Sequence, residues 1–200
     1  MSFGFLKAGE CEECEDASSY NAGTIYLIVG NFAEAASSFA KPVVSPSAFD
    51  DYRALFLFVS RIRQEQDAMK SLSYSAAGRS PEGWPTPVFE LFLGTITEEE
   101  FRLLLDGPYH DDPEIRCEGS YFLAQYYLWQ ERSEEAVFWL SEAVASGVFH
   151  FTEYLAAVEE LKRMGVEVKS YGGRGESLVS EESENVLPQK RDVKNRRKKP

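Results

Sequence analysis

The feature that most constrains this chain is a repeated spacing of small and apolar residues. Ala22, Gly23 and Tyr26 precede Ala35 and Phe39 with nearly the offsets that Leu55, Phe56 and Val59 have to Ala68 and Leu72. Leu123, Ala124 and Tyr127 precede Ala136, Leu140 and Ala143 likewise. Ala35, Ala68 and Ala136 lie 33 and 68 residues apart, which is one period and then two of about 34. A period of this length belongs to stacked helical hairpins, in which each unit buries its apolar face against the next. The first unit shows how the hairpin is made. Between Tyr20 and Lys41 a helical pattern is broken by Gly30-Asn31 and resumes with Phe32, Ala35, Ala36 and Phe39 on one face. So short a turn forces the two helices face to face, and the small residues Gly23 and Ala35 permit close approach.

The stretches GTIYLIVGNFAEAASSFA and YFLAQYYLWQERSEEAVFWLSEAVA resemble tetratricopeptide repeats. In the second, Glu131-Arg132 stands where a Gly-Asp turn is usual, and the early tryptophan of the signature is missing from both. The runs WPTPVFELFLGTITEEEF and YFLAQYYLWQERSEEAVFWLSEAVASGVFHFTEYLAAVEEL are similar to the C-terminal half of bacterial NlpI-type repeat lipoproteins. The resemblance implies an all-α, right-handed α-solenoid of about eight or nine helices, in three to four repeat units with a C-terminal capping helix. It also implies a protein-binding adaptor, since that family comprises lipid-anchored adaptors that dock envelope hydrolases and proteases. Cys11, in Ala-Gly-Glu-Cys, is not in a lipobox.

Local signals supply the remaining elements. Trp84-Pro85-Thr86-Pro87 should open a helix that Gly94 closes, because proline is tolerated in a first turn. Thr97 and Glu100 form a capping-box pattern for a helix over 98–105, which Asp106-Gly107-Pro108 stops. Asp111 or Asp112 should cap the helix that follows. After Gly147, a last helix from Phe151 to Met164 carries Phe151, Tyr154, Leu155, Val158 and Leu161 as an apolar stripe, suited to covering the end of an array. The resulting division is a flexible acidic N-terminus over 1–16, a repeat domain over 17–165, and a disordered linker with a basic tail over 166–200.

Charge is divided as unevenly as structure. The chain carries 21 Lys and Arg against 33 Asp and Glu, a net charge of -12. Seven of the basic residues and one acid fall between Lys190 and Lys199, so residues 1–189 hold 14 and 32, or -18. A body this acidic repels phosphate backbones, and nucleic-acid or membrane-surface binding would belong to the tail. Otherwise the acidic body reads as a solvated surface. Three cysteines, Cys11, Cys14 and Cys117, argue against a secreted disulfide framework and for a cytoplasmic location. No run approaches the ~18 apolar residues of a spanning helix, and the start is no signal peptide. The basic tail would offer nuclear import as the alternative, and an incomplete N-terminus would offer the envelope.

Candidate chemistry is thin. Cys11 and Cys14 have the spacing of half a zinc or redox site, yet only Cys117, His110 and His150 remain to complete it, and Glu12 and Glu13 disfavour a thiolate. Neither histidine lies in a metalloprotease pattern, and Gly172-Gly173-Arg174-Gly175 lacks the context of a phosphate loop. The expectation is a non-enzyme without cofactor or metal; a Cys/His metal enzyme is the remote alternative. Helical phase instead turns Tyr121, Gln125, Leu128 and Trp129, with Tyr20, Thr24, Leu27 and Ile28 of the first repeat, toward a concave groove, core packing against a neighbouring helix being the competing explanation for each. There a partner protein's segment would lie, since aromatic side chains dominate binding hot spots.

Overall fold

In the computed structural model, residues 12–43, 50–77 and 82–168 are described. Among them the chain is all-α, with nine helices and no strand. These are α1 (Glu12–Ile28), α2 (Phe32–Phe39), α3 (Asp50–Ile62), α4 (Met69–Ala77), α5 (Thr86–Leu93), α6 (Glu98–Asp106), α7 (Pro113–Trp129), α8 (Ser133–Ala145) and α9 (Thr152–Arg163). Consecutive helices pack as antiparallel hairpins, giving the helical-repeat architecture that the period implies. Cys11, the glycine run near 172–175 and the basic tail lie outside the described residues.

The caps explain the boundaries. Asn31 Oδ1 accepts from the Glu34 amide at the start of α2, and Thr97 and Glu100 make both halves of the capping box that opens α6. Asp112, not Asp111, caps α7 by accepting from the amides of Glu114 and Ile115. Gly94 ends α5 in the left-handed conformation, φ 73°. The second repeat departs from the pattern of the others. Ala35 and Ala136 lie inside α2 and α8, whereas Ala68 precedes α4, its carbonyl accepting from the Leu72 amide after a longer turn. At the other end, α1 starts at Glu12, ahead of the boundary at 17 that the acidic run suggested.

Close approach in the first hairpin rests on Gly23. A Cβ there would fall 2.6 Å from Cε1 of Phe39. Phe39 is wedged between Tyr20 and Phe56, with ring centroids 5.9 and 5.6 Å away. The aromatic chain continues from Phe56 to Phe122 on α7 and from Phe122 to Phe92 on α5, so α1, α2, α3, α5 and α7 share one core.

The last helix does more than cap. α9 packs against α8, as a terminal helix should, but also against α7 and α1. The Arg163 guanidinium donates to the carbonyl of Ile28 at the end of α1. The first and last helices are therefore joined, and the array closes on itself. The stripe expected on α9 is corrected accordingly: Leu155 faces outward at 40% exposure, while Glu153, Ala156 and Glu160 are buried alongside Tyr154, Ala157 and Leu161. A helix packed on three neighbours buries two faces, not one.

Candidate functional site

The closure by α9 decides which of the expected groove residues a partner can reach. Leu27, Tyr121 and Gln125 are buried, at 1, 2 and 1% exposure. Gln125 Oε1 accepts from Nη1 of Arg63, whose Nη2 lies 2.8 Å from Oε1 of Glu160 on α9. Tyr121 lies in the same environment, where burial foremost and the charges of Glu160 and Glu153 push its phenol upward. These three positions, expected in an open groove, are corrected to core positions. They face inward as helical phase requires, but the inner face is covered by the chain's own last helix.

In the first repeat, Tyr20 is half-buried under the Arg53 guanidinium, and the Thr24 hydroxyl donates to the carbonyl of Asn21. Ile28 packs against the core and contributes the carbonyl held by Arg163. None of these lines the cleft that Leu128 and Trp129 border. The eight residues do not form one continuous groove.

Leu128 and Trp129 do meet at an opening. A cleft of about 590 Å³ lies between the α3–α4 turn and the end of α7. Ile62, Ala68, Met69, Leu128 and Trp129 form its apolar part, and Arg63, Glu65, Gln66, Asp67 and Glu131 its polar part. Trp129 is 38% exposed, with its ring held edge-on to Phe58 at 6.0 Å and to Tyr126 at 6.3 Å. The indole is thus fixed by its neighbours while part of it remains open to solvent, the condition of a binding anchor. Arg63 is committed to Gln125 and Glu160, leaving an acidic rim of Glu65, Asp67 and Glu131. No ion pair involves those three among the described residues.

Two of the rim residues have unusual backbones. Glu65 and Glu131 hold φ of 57° and 59°, the left-handed region in which a side chain is strained. They occupy equivalent turns, after α3 and after α7, and both point the chain around the cleft. The sequence departure at Glu131-Arg132 has a visible consequence. Arg132, standing at the N-cap of α8, makes no side-chain cap. Its guanidinium instead reaches Glu98 at 2.6 Å and Glu135 at 2.8 Å, and lies over the Tyr127 ring. The turn thereby ties α6 to α8.

A second polar cluster escaped sequence reasoning entirely. Glu118 on α7 is buried, and Oε2 accepts from the Tyr52 hydroxyl at 2.7 Å and from Nε1 of Trp84. Burial raises its carboxyl, and those two hydrogen bonds oppose the rise. Glu153 on α9 is buried as well; removal from water and the charge of Glu118 push it up to about 8. Glu160 behaves oppositely. Burial again pushes upward, but the hydrogen bonds and charges of Arg63 and Arg163 together bring it below its ordinary value. No spacing signal distinguishes these buried acids from the solvated ones around them.

The remaining candidates have ordinary surroundings. Cys117 is buried, and burial raises its thiol to about 12, far from the thiolate that metal or redox chemistry needs. His110 pairs with Nη1 of Arg116, and His150 makes edge contacts to Phe149 and Phe151. No group of three or more His, Cys, Asp or Glu side chains arranged to hold a metal occurs among the described residues.

Hairpins in succession, a terminal covering helix and no strand among the described residues make this an all-α helical-repeat architecture of the kind that tetratricopeptide-like units build. No protein-family model and no solved structure matches the chain. Over 159 residues it is 27% identical to the lipoprotein NlpI homolog of Haemophilus influenzae, an alignment covering 78% of this chain. The match takes in 50% of that relative, so the chain spans about half its length. No helix among the described residues is long and apolar enough to cross a membrane.

Proposed function

We propose that this protein is a non-catalytic adaptor that receives a segment of a partner protein in the cleft beside Trp129. The observation that carries the reading is the combination in that cleft of a half-open, ring-braced indole with an uncompensated acidic rim. An apolar side chain would seat against Leu128, Met69 and Trp129, while Lys or Arg residues beside it would meet Glu65, Asp67 and Glu131. The preferred ligand is therefore a short segment that alternates apolar and basic residues. Likeness to a repeat lipoprotein supports the adaptor reading at the level of class.

Selection of a random-peptide library on the full chain tests this, with binders counter-selected on Trp129→Glu. The expected result is enrichment of peptides carrying an apolar anchor with adjacent Lys or Arg, retained by wild type and released by the variant while its helical circular dichroism is unchanged. Peptides that bind both proteins equally would refute the cleft as the site. The sparse cysteines favour a cytoplasmic place of action, whereas the relative is named a lipoprotein. Fractionation of cells carrying the native protein separates the two.

A further inference from the structure

We propose that the basic segment Lys190–Lys199 of this same chain docks in cis across the acidic rim of the Trp129 cleft and competes there with a partner. The inference rests on the reading of the cleft as a seat for basic, apolar segments, and it names the first such segment the cleft meets. Three observations support it. The rim presents Glu65, Asp67 and Glu131, all exposed and none in an ion pair among the described residues. The segment presents seven basic residues against Asp192 alone. Charge of the two signs is thus gathered on the rim and in the segment 190–199.

The path of the chain brings them together. Arg63 lines the cleft and also holds Glu160, one turn before α9 ends at Arg163. A single side chain, Arg63, thus spans from the lining of the cleft to the last turns of α9. Residues 169–189 are 21 in number and span at most about 70 Å when extended. A compact domain of this size is only ~40 Å across, so the rim is well within reach. Tethering makes the encounter intramolecular, with an effective concentration in the millimolar range. Weak surface ion pairs that would not hold a free peptide are then populated. Val193 is the apolar residue within the segment that can face the indole.

Zero-length carbodiimide cross-linking of the full chain, read by mass spectrometry, tests the inference. Lys190, Lys194, Lys198 and Lys199 should join preferentially to Glu65, Asp67 and Glu131. In a mixture of light and heavy isotopic chains, the products should be light–light or heavy–heavy. Yield should fall at 1 M salt, where the screening length is about 3 Å. Cross-links spread evenly over exposed acids, including the separate acidic surface of Glu98, Glu99 and Asp106, would overturn it, as would light–heavy products in the statistical share of about half that docking between chains gives in an equal mixture. Acrylamide quenching gives a second reading, with Trp129→Phe providing the background from the other tryptophans. Neutralising the seven basic residues to Gln should raise quenching of Trp129. The triple variant Glu65→Gln, Asp67→Asn, Glu131→Gln should do the same, and combining both sets should add nothing further. Additive changes would refute a direct contact. If library peptides bind through Trp129 while the tail cross-links elsewhere, this inference falls and the adaptor reading stands. If the tail cross-links to the rim while no external peptide binds even the chain whose seven basic residues are neutralised to Gln, docking stands and the adaptor reading falls.

Discussion

Replacing Glu153 by Gln should stabilise the protein at neutral pH, and the size of the gain should depend on pH in a defined way. Glu153 is buried, and the nearby charge of Glu118 adds to the cost of ionising it, so its carboxyl keeps a proton up to about pH 8. In the unfolded chain the same group ionises near the ordinary carboxyl value of 4.5. Below pH 4.5 both states hold the proton and the site contributes nothing. Between 4.5 and 8 the folded state binds one proton more than the unfolded state, so stability falls as pH rises, by about 1.4 kcal/mol per pH unit. At pH 7 the accumulated cost is about 3 kcal/mol, and above pH 8 it levels off near 5 kcal/mol. Gln has nearly the same shape and does not titrate. Urea unfolding of wild type and Glu153→Gln at pH 4.5, 6, 7 and 8 should give curves that coincide at the acid end and diverge upward. With a slope of ~2 kcal/mol per molar urea, the midpoint difference at pH 7 is about 1.5 M. A variant less stable than wild type at pH 7, or a difference that does not change with pH, would refute the assignment of a buried, proton-holding carboxyl.

Three further outcomes are expected. Gly23→Ala should lower the midpoint of a thermal melt followed by circular dichroism, because overpacking against the wedged Phe39 ring costs ~1–3 kcal/mol and the gain in helix propensity returns about 1; an unchanged or higher midpoint would show that the ring yields. Glu131→Gly should raise unfolding free energy by about 0.5–1 kcal/mol, since glycine adopts the left-handed conformation at that turn without strain, and a loss in chemical denaturation would contradict this. In a Cys11→Ser, Cys14→Ser background, Cys117 should react with a thiol reagent at pH 8 only as fast as the protein opens, its thiol being buried and raised to about 12; rapid reaction in the native state would place it at the surface.

The parts legible in the sequence are those that local spacing controls. Gly30-Asn31, the Thr97–Glu100 box and Asp112 mark helix ends because a cap acts within one turn of chain. The inward phase of Tyr121, Gln125 and Leu27 was legible for the same reason. What covers them was not, because the placement of α9 depends on contacts with α1 more than a hundred residues away. Leu155 and Glu153 show the limit clearly. Hydrophobicity put the leucine inside and the carboxylate outside, and the packing of α9 on three helices reversed both. Periodicity drew attention to Leu128 and Trp129, which line a cleft, but not to its acidic rim, since Glu65 and Glu131 take a turn conformation normally announced by glycine.

The bond from Arg163 to the carbonyl of Ile28 also limits how such a chain can change over evolutionary time. An open array tolerates an inserted copy of its unit, because each copy meets only its neighbours. Here an added hairpin would carry Arg163 away from the end of α1 and expose the leucine, tyrosine and glutamine that α9 shields. Duplication would break the seam before it lengthened the surface. The join between α1 and α9 therefore sets itself against any hairpin inserted between them, whereas a longer turn at the surface would leave it intact.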